Sequence, residues 1–418
     1  MKSNNMRKLG WIALTSVLLS GATVLTAEDG KAKSEGDVLT GRATIDVRKT
    51  VNPAVIGGGV NFAFSDFNYI NFRSGGEWGD IHSQHLPFPD DKKEWASFMR
   101  LMDYAGFQYV RLGVGVTQWE PVNDDSDPKH LNLQSGFVFS PGFAAAHPEV
   151  DANNRIYMDL MYRLLDHWEQ RRMFVVLGNW WAGPDTFCAK GDNWLLMHDK
   201  DGKQLSHMDR TTLNVANLEE FTESLAAIMV HLKRNKGYHC VKGISFMNEP
   251  EQMTDYCATL ARVYKSLGAQ LRRHGVRDDV SIQSFDGAIF WTREEGSVSN
   301  GVARLLRVAD ADIDIISVHD YHSIFEYQKK AGLSEAHGTI LDNAVGKILS
   351  PALEQIREAD SDRQIEPVVF GEFGTFALTR GDTRVDPAND TRYEQRLCCA
   401  ESLMQLLNHC VKAVAFWV

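Results

Sequence analysis

The sequence predicts an α/β fold, a (β/α)8 TIM barrel, and three observations lead to this prediction. From residue 54 to the end of the 418-residue chain, short apolar segments alternate with longer amphipathic segments, as repeated βα units require. Eight of the short segments are continuously apolar, which is typical of parallel strands buried on both faces. Gly57-Gly58-Gly59 lacks the G-x-G-x-x-G helix start of a nucleotide-binding open sheet, so we expect these glycines to allow close packing at the first barrel strand.

The predicted strands occupy residues 54–60, 109–113, 173–177, 243–247, 280–284, 313–318, 367–370 and 413–418. Seven helices are predicted between them, at residues 92–104, 155–170, 218–234, 254–274, 297–309, 343–359 and 392–409. The chain stops on the eighth strand, where a barrel normally continues into an eighth helix, so we expect the sequence to be C-terminally incomplete. Long segments follow the first three strands, at residues 61–91, 114–154 and 179–217, and such loops form the active-site face of a barrel.

The composition indicates one large soluble domain preceded by a targeting signal. Hydrophobic residues make up 44% of the chain and the mean hydropathy is -0.28, which excludes a protein with several membrane spans. The net charge of -11 and the lack of a basic stripe exclude a nucleic-acid partner. Basic residues followed by an apolar run at 9–19 predict a signal peptide over residues 1–27, with an uncleaved membrane anchor as the alternative. Residues 28–41 then form a polar linker and residues 42–418 the barrel domain, and we expect a secreted or periplasmic protein.

The six cysteines show no C-x-x-C spacing, so the sequence does not predict a zinc site, although export would allow one or two disulfides. A metal site built on His319 and His322 lacks a third ligand at a suitable spacing. A metal-dependent barrel hydrolase would also need His-x-His near the first strand, where this chain reads Asn61-Phe62-Ala63-Phe64. We therefore expect neither a metal nor a cofactor.

Two glutamates follow apolar strands in settings that suit catalysis. The fourth predicted strand leads into Asn248-Glu249-Pro250, and the seventh leads into Gly371-Glu372-Phe373-Gly374, where small residues leave room beside the carboxylate. The ends of these strands open onto one face of a barrel, so the two carboxylates can meet across its mouth. Glycosidic bond cleavage needs such a pair, one carboxyl protonated and one ionised, whereas either glutamate alone is explained equally well by a salt bridge or a helix cap.

These two motifs resemble the signatures of clan A glycoside hydrolases, particularly the cellulase-like family 5. The resemblance implies a retaining hydrolase that acts on a β-linked polysaccharide or oligosaccharide, with residues 42–418 as its catalytic domain. Under it, Glu249 is the general acid/base, Glu372 is the nucleophile and Asn248 binds the 2-hydroxyl group of the sugar. It also matches Arg111 to an arginine that keeps the nucleophile ionised.

Further positions match the same clan less closely. His319 and Tyr321 resemble residues that line the cleavage subsite, and Trp417 resembles a tryptophan platform on the eighth strand. Family 5 members often have a histidine after the third strand, whereas this chain has Asn179 and Trp180, which we expect to contact sugar. This departure leaves families of the β-xylosidase and β-galactosidase type open.

A non-catalytic carbohydrate-binding barrel is the main alternative, although binding alone would require neither glutamate. Additional carboxylates at the mouth, Glu251, Asp286 and Asp320, are expected to contact substrate or to form structural hydrogen bonds. Aromatic rings suit the apolar faces of sugars, but loop packing explains any single ring more simply. The candidate rings are Phe62, Phe64, Phe67, Tyr69, Trp78, Trp119, Trp180, Trp181 and Trp194.

Overall fold

The predicted barrel is confirmed: eight parallel strands form one closed sheet in chain order, from β1 to β8. The computed structural model describes residues 55–62, 92–116, 119–120, 122–123, 125, 127–131, 148–181, 194–205, 213–250, 256–288, 300–309, 312–320, 354–356, 358–359, 368–373, 403, 406–407 and 411–417. The predicted signal peptide and polar linker lie outside these residues.

The strands are β1 (Gly57–Phe62), β2 (Tyr109–Gly115), β3 (Phe174–Trp181), β4 (Val241–Ser245), β5 (Ser281–Ala288), β6 (Ile315–Asp320), β7 (Val368–Phe373) and β8 (Ala413–Trp417). β8 pairs with β1 and so closes the barrel, and Trp417 is in register with Asn61. A side chain on Gly59 would lie 2.2 Å from the carbonyl oxygen of Tyr109, so the predicted close packing at the glycine triplet is present.

The described helices are α1 (Lys92–Ala105), α2 (Pro148–Gln170), α3 (Leu218–Val230), α4 (Tyr256–Arg273) and α5 (Asn300–Val308). Asn217 caps α3 by accepting hydrogen bonds from the backbone N–H groups of Glu219 and Glu220, which satisfies donors that the helix leaves open. Gly275, at a φ of +67°, follows α4 in the left-handed conformation that commonly ends a helix. Within the described part of the chain, no helix is long and apolar enough to cross a membrane.

Several predicted boundaries were wrong in ways that share one cause. β1 was predicted to end at residue 60 but includes Asn61 and Phe62, and β3 continues through Asn179 and Trp180, which were predicted to lie in a loop. Each of these strands was predicted to end where its apolar run ends. The observed strands continue further, because the mouth of a barrel accommodates polar side chains. β4 shows the opposite error, because it ends at Ser245 and not at residue 247.

The helix predictions also needed correction at their ends. α2 begins at Pro148, seven residues before its predicted start at 155. α3 ends at Val230, and residues His231–Asn235 continue as a π-helical turn that the 3.6-residue periodicity did not reveal. The helices predicted at residues 343–359 and 392–409 lie largely outside the described residues.

The barrel interior has an apolar part and a polar part. Tyr109, Val176, Ile315, Val369, Ala413 and Ala415 form a separate buried apolar cluster contributed by the strands. Nearer the carboxyl ends of the strands, the buried side chains are polar or charged: Asn61, Arg111, Ser245, Asp286, Ser317, His319 and Glu372. The apolar cluster therefore forms a floor beneath a layer of polar groups.

Candidate active site at the carboxyl ends of the strands

Arg111, on β2, joins the two glutamate motifs. Its Nη1 donates to Glu372 Oε1 at 2.8 Å, and its Nη2 donates to Asn248 Oδ1 at 2.9 Å. The arginine is fully buried, so its charge acts with little screening by water. The structure thus brings together Arg111, Asn248 and Glu372, three of the residues that the sequence singled out.

Two glycines provide the space that Arg111 occupies. A Cβ atom on Gly178 of β3 would lie 3.0 Å from Arg111 Nε. A Cβ atom on Gly371 of β7 would lie 2.2 Å from Ser317 Oγ and 2.9 Å from Asp286 Oδ1. Arg111 Cδ, on β2, would lie 3.5 Å from the same Cβ atom, so the glycine beside Glu372 lets side chains of three other strands approach the backbone closely.

His319, on β6, lies between the two glutamates. Its Nδ1 is 3.3 Å from Glu249 Oε1 and 3.4 Å from Glu372 Oε2. Burial of the ring lowers its pKa, and Arg111 acts in the same direction, but the carboxylates of Glu372, Glu249 and Asp286 outweigh both and raise the pKa of His319 above its ordinary value. The protonated imidazole is consequently favoured between the two carboxylates.

Glu249 differs from Glu372 in both exposure and backbone conformation. Its side chain is 35% exposed, whereas that of Glu372 is 5% exposed. Glu249 has a φ of +50°, a left-handed conformation that is uncommon for residues other than glycine, and its backbone N–H donates to the carbonyl oxygen of Asp286 at 2.7 Å. The hydrogen bond from His319 lowers the pKa of Glu249, and the smaller opposing effect of burial does not cancel it.

Asp286, on β5, forms structural hydrogen bonds, one of the two roles expected for it from the sequence, and it does so in the centre of the site. It is completely buried and accepts hydrogen bonds from Ser245 Oγ and, at 3.0 Å, from Gln283 Nε2. Its Oδ2 lies 3.4 Å from Arg111 Nη2, and its Oδ1 lies 4.0 Å from His319 Nε2. The sequence signal was an aspartate inside a β5 segment of otherwise uncharged residues, Ser281–Ala288.

Of the other residues predicted to contact sugar, the structure describes the side chain of Asn179 but not those of Trp180, Tyr321 and Trp417. Asn179 is buried, and its Nδ2 donates to the carbonyl oxygen of Phe246 at 2.7 Å. The side-chain NH2 group of Asn179 therefore supports the segment that follows β4. Trp180 and Trp417 lie on strands, but their side chains are outside the described residues, as is the whole of Tyr321.

Two of the candidate sugar-binding rings pack inside the protein. Trp119 is fully buried and its Nε1 donates to the carbonyl oxygen of Ser224 at 3.0 Å. Trp194 packs against the core, and its Nε1 donates to the carbonyl oxygen of Glu120 at 2.8 Å. For these two residues loop and core packing is the correct explanation.

Glu249, His319 and Glu372 also have the spacing of a metal site, since one ligand atom from each lies within 4.8 Å of the others. A histidine that binds a metal must be neutral, whereas the carboxylates around His319 favour its protonated form. Arg111 already places a positive charge 2.8 Å from Glu372. The expectation that the protein binds no metal stays a prediction.

Two of the six cysteines lie in the described part of the chain. Cys240 and Cys257 are buried and form no disulfide, and the other four cysteines lie outside the described residues.

No protein-family model and no curated protein matches the chain. Solved structures with a similar fold include an exo-β-1,4-mannosidase from Opitutaceae bacterium strain TAV5, which is 15% identical with a TM-score of 0.46 over 90% of this chain and 54% of that chain. A GH5-4 broad-specificity endoglucanase from an uncultured bacterium is 13% identical with a TM-score of 0.46 over 77% of this chain and 76% of that chain. A hyperthermophilic β-glucosidase is 13% identical with a TM-score of 0.49 over 87% of this chain and 90% of that chain.

The chain thus spans about half the length of the mannosidase. All three proteins carry the names of glycoside-cleaving enzymes, the class that the sequence motifs resemble. With identities this low, a function for this chain depends on the side chains at its own barrel mouth.

Proposed function

We propose that this protein is a retaining glycoside hydrolase that cleaves O-glycosidic bonds of a β-linked polysaccharide or oligosaccharide. The observation that carries the proposal is the separation of the two glutamates: a carboxylate oxygen of Glu249 and one of Glu372 lie within 4.8 Å of each other. Retaining enzymes hold their two carboxyl groups roughly 5–5.5 Å apart, whereas inverting enzymes hold them roughly 6.5–9.5 Å apart to admit a water molecule. The short separation supports a retaining mechanism.

The different surroundings of the two carboxylates support different roles. Glu372 is buried against Arg111 Nη1, which donates to one of its oxygens and fixes the direction of that oxygen. These are the properties of a nucleophile that attacks the anomeric carbon. Glu249 is partly open to solvent at the mouth, where a leaving group departs and a water molecule enters.

The proposed reaction has two displacements. In the first, a carboxylate oxygen of Glu372 forms a bond to the anomeric carbon, the bond from that carbon to the leaving oxygen breaks, and Glu249 gives its proton to that oxygen. In the second, Glu249 takes a proton from water, the water oxygen attacks the anomeric carbon, and the bond to Glu372 breaks. Two inversions at the same carbon give a product that retains its configuration.

The first step needs a proton on Glu249, although the free site favours the ionised form of this residue. His319 Nδ1, 3.3 Å from Glu249 Oε1, is the nearby source of that proton. Binding of a sugar would displace water from the mouth, and charged groups are costly where water is absent. The protonated His319 and the ionised Glu249 would then tend to neutralise each other by transfer of the proton. His319 would then hold the proton for the general acid, and Asn248, fixed by Arg111, would present its amide to the 2-hydroxyl group of the sugar.

Hydrolysis of a panel of substrates tests the proposal. Aryl β-glycosides, β-glucan, mannan and xylan would be incubated with the wild-type protein and with the double Glu249→Gln, Glu372→Gln variant. Activity that the double variant lacks, with a first-formed product of retained configuration by NMR, is the expected result. An inverted product would contradict the retaining mechanism, and a folded wild-type protein that binds oligosaccharide but cleaves nothing in the panel would favour a carbohydrate-binding barrel.

We also propose that the protein acts outside the cytoplasm, on the basis of the basic and apolar pattern of residues 1–27. Expression of the full chain should give a shortened protein in the exported fraction. N-terminal sequencing would locate the cleavage point, and a variant lacking residues 1–27 should remain inside the cell.

A further inference from the structure

We propose that Asp286 is a positioning residue of this active site, which orients Arg111 and the Glu249 backbone and acts electrostatically on His319. This inference rests on the proposed function. Asp286 cannot touch substrate directly because it is completely buried. Its effect on catalysis must therefore pass through the groups that it contacts, which come from β2, β4, β5, β6 and the segment after β4.

The first contact positions Arg111. Nη2 of Arg111 lies 3.4 Å from Asp286 Oδ2 and 2.9 Å from Asn248 Oδ1, while Nη1 lies 2.8 Å from Glu372 Oε1. A guanidinium group is planar, so a carboxylate on one edge restricts the direction in which the other edge donates. Asp286 is thus the buried support that aims Arg111 at Glu372 and Asn248.

The second contact is made by the backbone of Asp286. Its carbonyl oxygen accepts the N–H of Glu249 at 2.7 Å, and both residues have positive φ angles, +37° for Asp286 and +50° for Glu249. The pairing of β5 with β6 is irregular at this point, between Phe285 and Gly287. Such conformations are costly for residues other than glycine and persist where surrounding contacts hold them in place. The hydrogen bond therefore links the conformation of β5 to the position of Glu249.

Asp286 is itself held by uncharged donors. Ser245 Oγ donates to its Oδ2, and Gln283 Nε2 donates to its Oδ1 at 3.0 Å. Tyr109, from the floor of the barrel, donates from its hydroxyl group to Gln283 Oε1 at 3.1 Å. This chain of hydrogen bonds fixes the carboxylate from below and leaves its charge directed at Arg111 and His319.

The third effect is electrostatic and concerns His319. Among the described residues, four charged groups face this ring: Glu372 from β7, Glu249 from the segment after β4, Arg111 from β2 and Asp286 from β5. When all of them and His319 are ionised, three carboxylates surround two cations. The charge of Asp286 raises the pKa of His319, so removing that charge releases the proton at lower pH.

The Asp286→Asn variant tests these effects because it is close in size but uncharged. An amide offers one acceptor where the carboxylate offers two, so Arg111 or Gln283 loses a partner. The kcat of the variant should fall by about 10²-fold with little change in KM, as expected when reacting groups are misplaced but substrate contacts remain. The alkaline limb of its pH–rate profile should move to lower pH.

An NMR titration of the histidine ring protons gives a second measurement that does not depend on any substrate. The pKa of His319, assigned with a His319→Gln variant, should fall measurably in Asp286→Asn. The matched control is Asp312→Asn, because Asp312 is also buried and paired with arginines, Arg272 and Arg277, but precedes β6 at the other end of that strand. The control should lose stability without moving His319 or the pH profile.

The two measurements separate this inference from the proposed function. If the pKa of His319 falls in Asp286→Asn but the wild-type protein cleaves no glycoside, the positioning role is supported and the hydrolase proposal is wrong. Hydrolysis with an unchanged pH profile and an unchanged His319 in Asp286→Asn would overturn the inference and keep the hydrolase. If Asp286→Asn does not fold, Asp286→Ser replaces it, and failure of both variants beside a folded Asp312→Asn would show a purely structural residue.

Discussion

Glu249 follows β4 and Glu372 lies near the end of β7, and the protein gives these two glutamates different environments. Glu372 lies within β7, where the pairing with β6 and β8 shifts register, is buried, and receives a hydrogen bond from Arg111. Glu249 lies four residues beyond the end of β4, has a left-handed backbone conformation, and is partly open to solvent. Under the proposed function, this difference assigns attack on carbon to the buried carboxylate and exchange of protons to the accessible one.

His319 connects the two environments, since its Nδ1 lies 3.3 Å from Glu249 and 3.4 Å from Glu372. The pair is therefore not independent, and a change at one carboxylate alters the proton balance at the other. Variants that remove each glutamate in turn, and then the groups that contact it, test how strongly the environments of Glu249 and Glu372 differ.

The largest effect is expected from Glu372→Ala. Loss of the nucleophile should lower kcat by at least about 10⁴-fold, because no covalent intermediate can form. Added azide should fill the space left by the side chain and give a glycosyl azide of inverted, α configuration. Product analysis by NMR distinguishes the anomers, and an α-glycosyl azide formed only by Glu249→Ala would mean that the two roles are reversed.

Glu249→Ala should have a smaller effect that depends on the substrate. Loss of a general acid costs about 10²–10⁴-fold for substrates whose leaving group needs a proton. An aryl glycoside with an acidic phenol needs little protonation, so its glycosylation step should remain fast. Comparing kcat/KM along a series of aryl leaving groups measures this dependence, and an equal loss for all leaving groups would contradict the acid/base role.

The sequence predicted the barrel and both glutamates because these depend on local patterns: continuous apolar strands, and motifs that stop them. It did not predict that Asp286 would lie in the middle of the site. Its contacts to Arg111 and Ser245 join residues that are far apart in the chain, and they form because the barrel closes and β5 is irregular. Nor did local patterns show that Trp119 is a core residue, since burial of a ring against α3 follows from tertiary packing.

Gly371→Ala tests whether the fixed environment of Glu372 requires a glycine beside it. The new Cβ would lie 2.2 Å from Ser317 Oγ and 2.9 Å from Asp286 Oδ1, so these two buried side chains must move, at a cost of about 1–3 kcal/mol in the free energy of unfolding. The matched control is Gly58→Ala on β1, where the nearest atom would be Leu403 Cδ2 at 4.0 Å. Urea denaturation of both variants measures the difference, and equal stability would show that the site adapts easily.

The smallest effect expected is a change in how stability depends on pH, and it concerns the ring between the two glutamates. The pKa of His319 is raised in the folded protein, so the protonated ring contributes stability that is fully present below about pH 6.5 and is lost as the pH rises through the folded-state pKa. His319→Gln should remove this loss at higher pH, a small part of the roughly 5–15 kcal/mol that holds a domain folded.

His231 is the internal control for that experiment because its shift has the opposite sign. Burial, with a smaller effect of Lys236, lowers the pKa of His231 to about 4, so its neutral form is favoured in the fold and its contribution is lost as the pH falls from 6.5 toward 4. His231→Gln should therefore flatten the acidic side of the stability profile, whereas His319→Gln should flatten the alkaline side. Denaturation midpoints measured from pH 4 to pH 9 test both slopes. If His319→Gln left the alkaline side unchanged, the proton would not be held between Glu249 and Glu372, and the difference between these two residues would have to arise from Arg111 and solvent access alone.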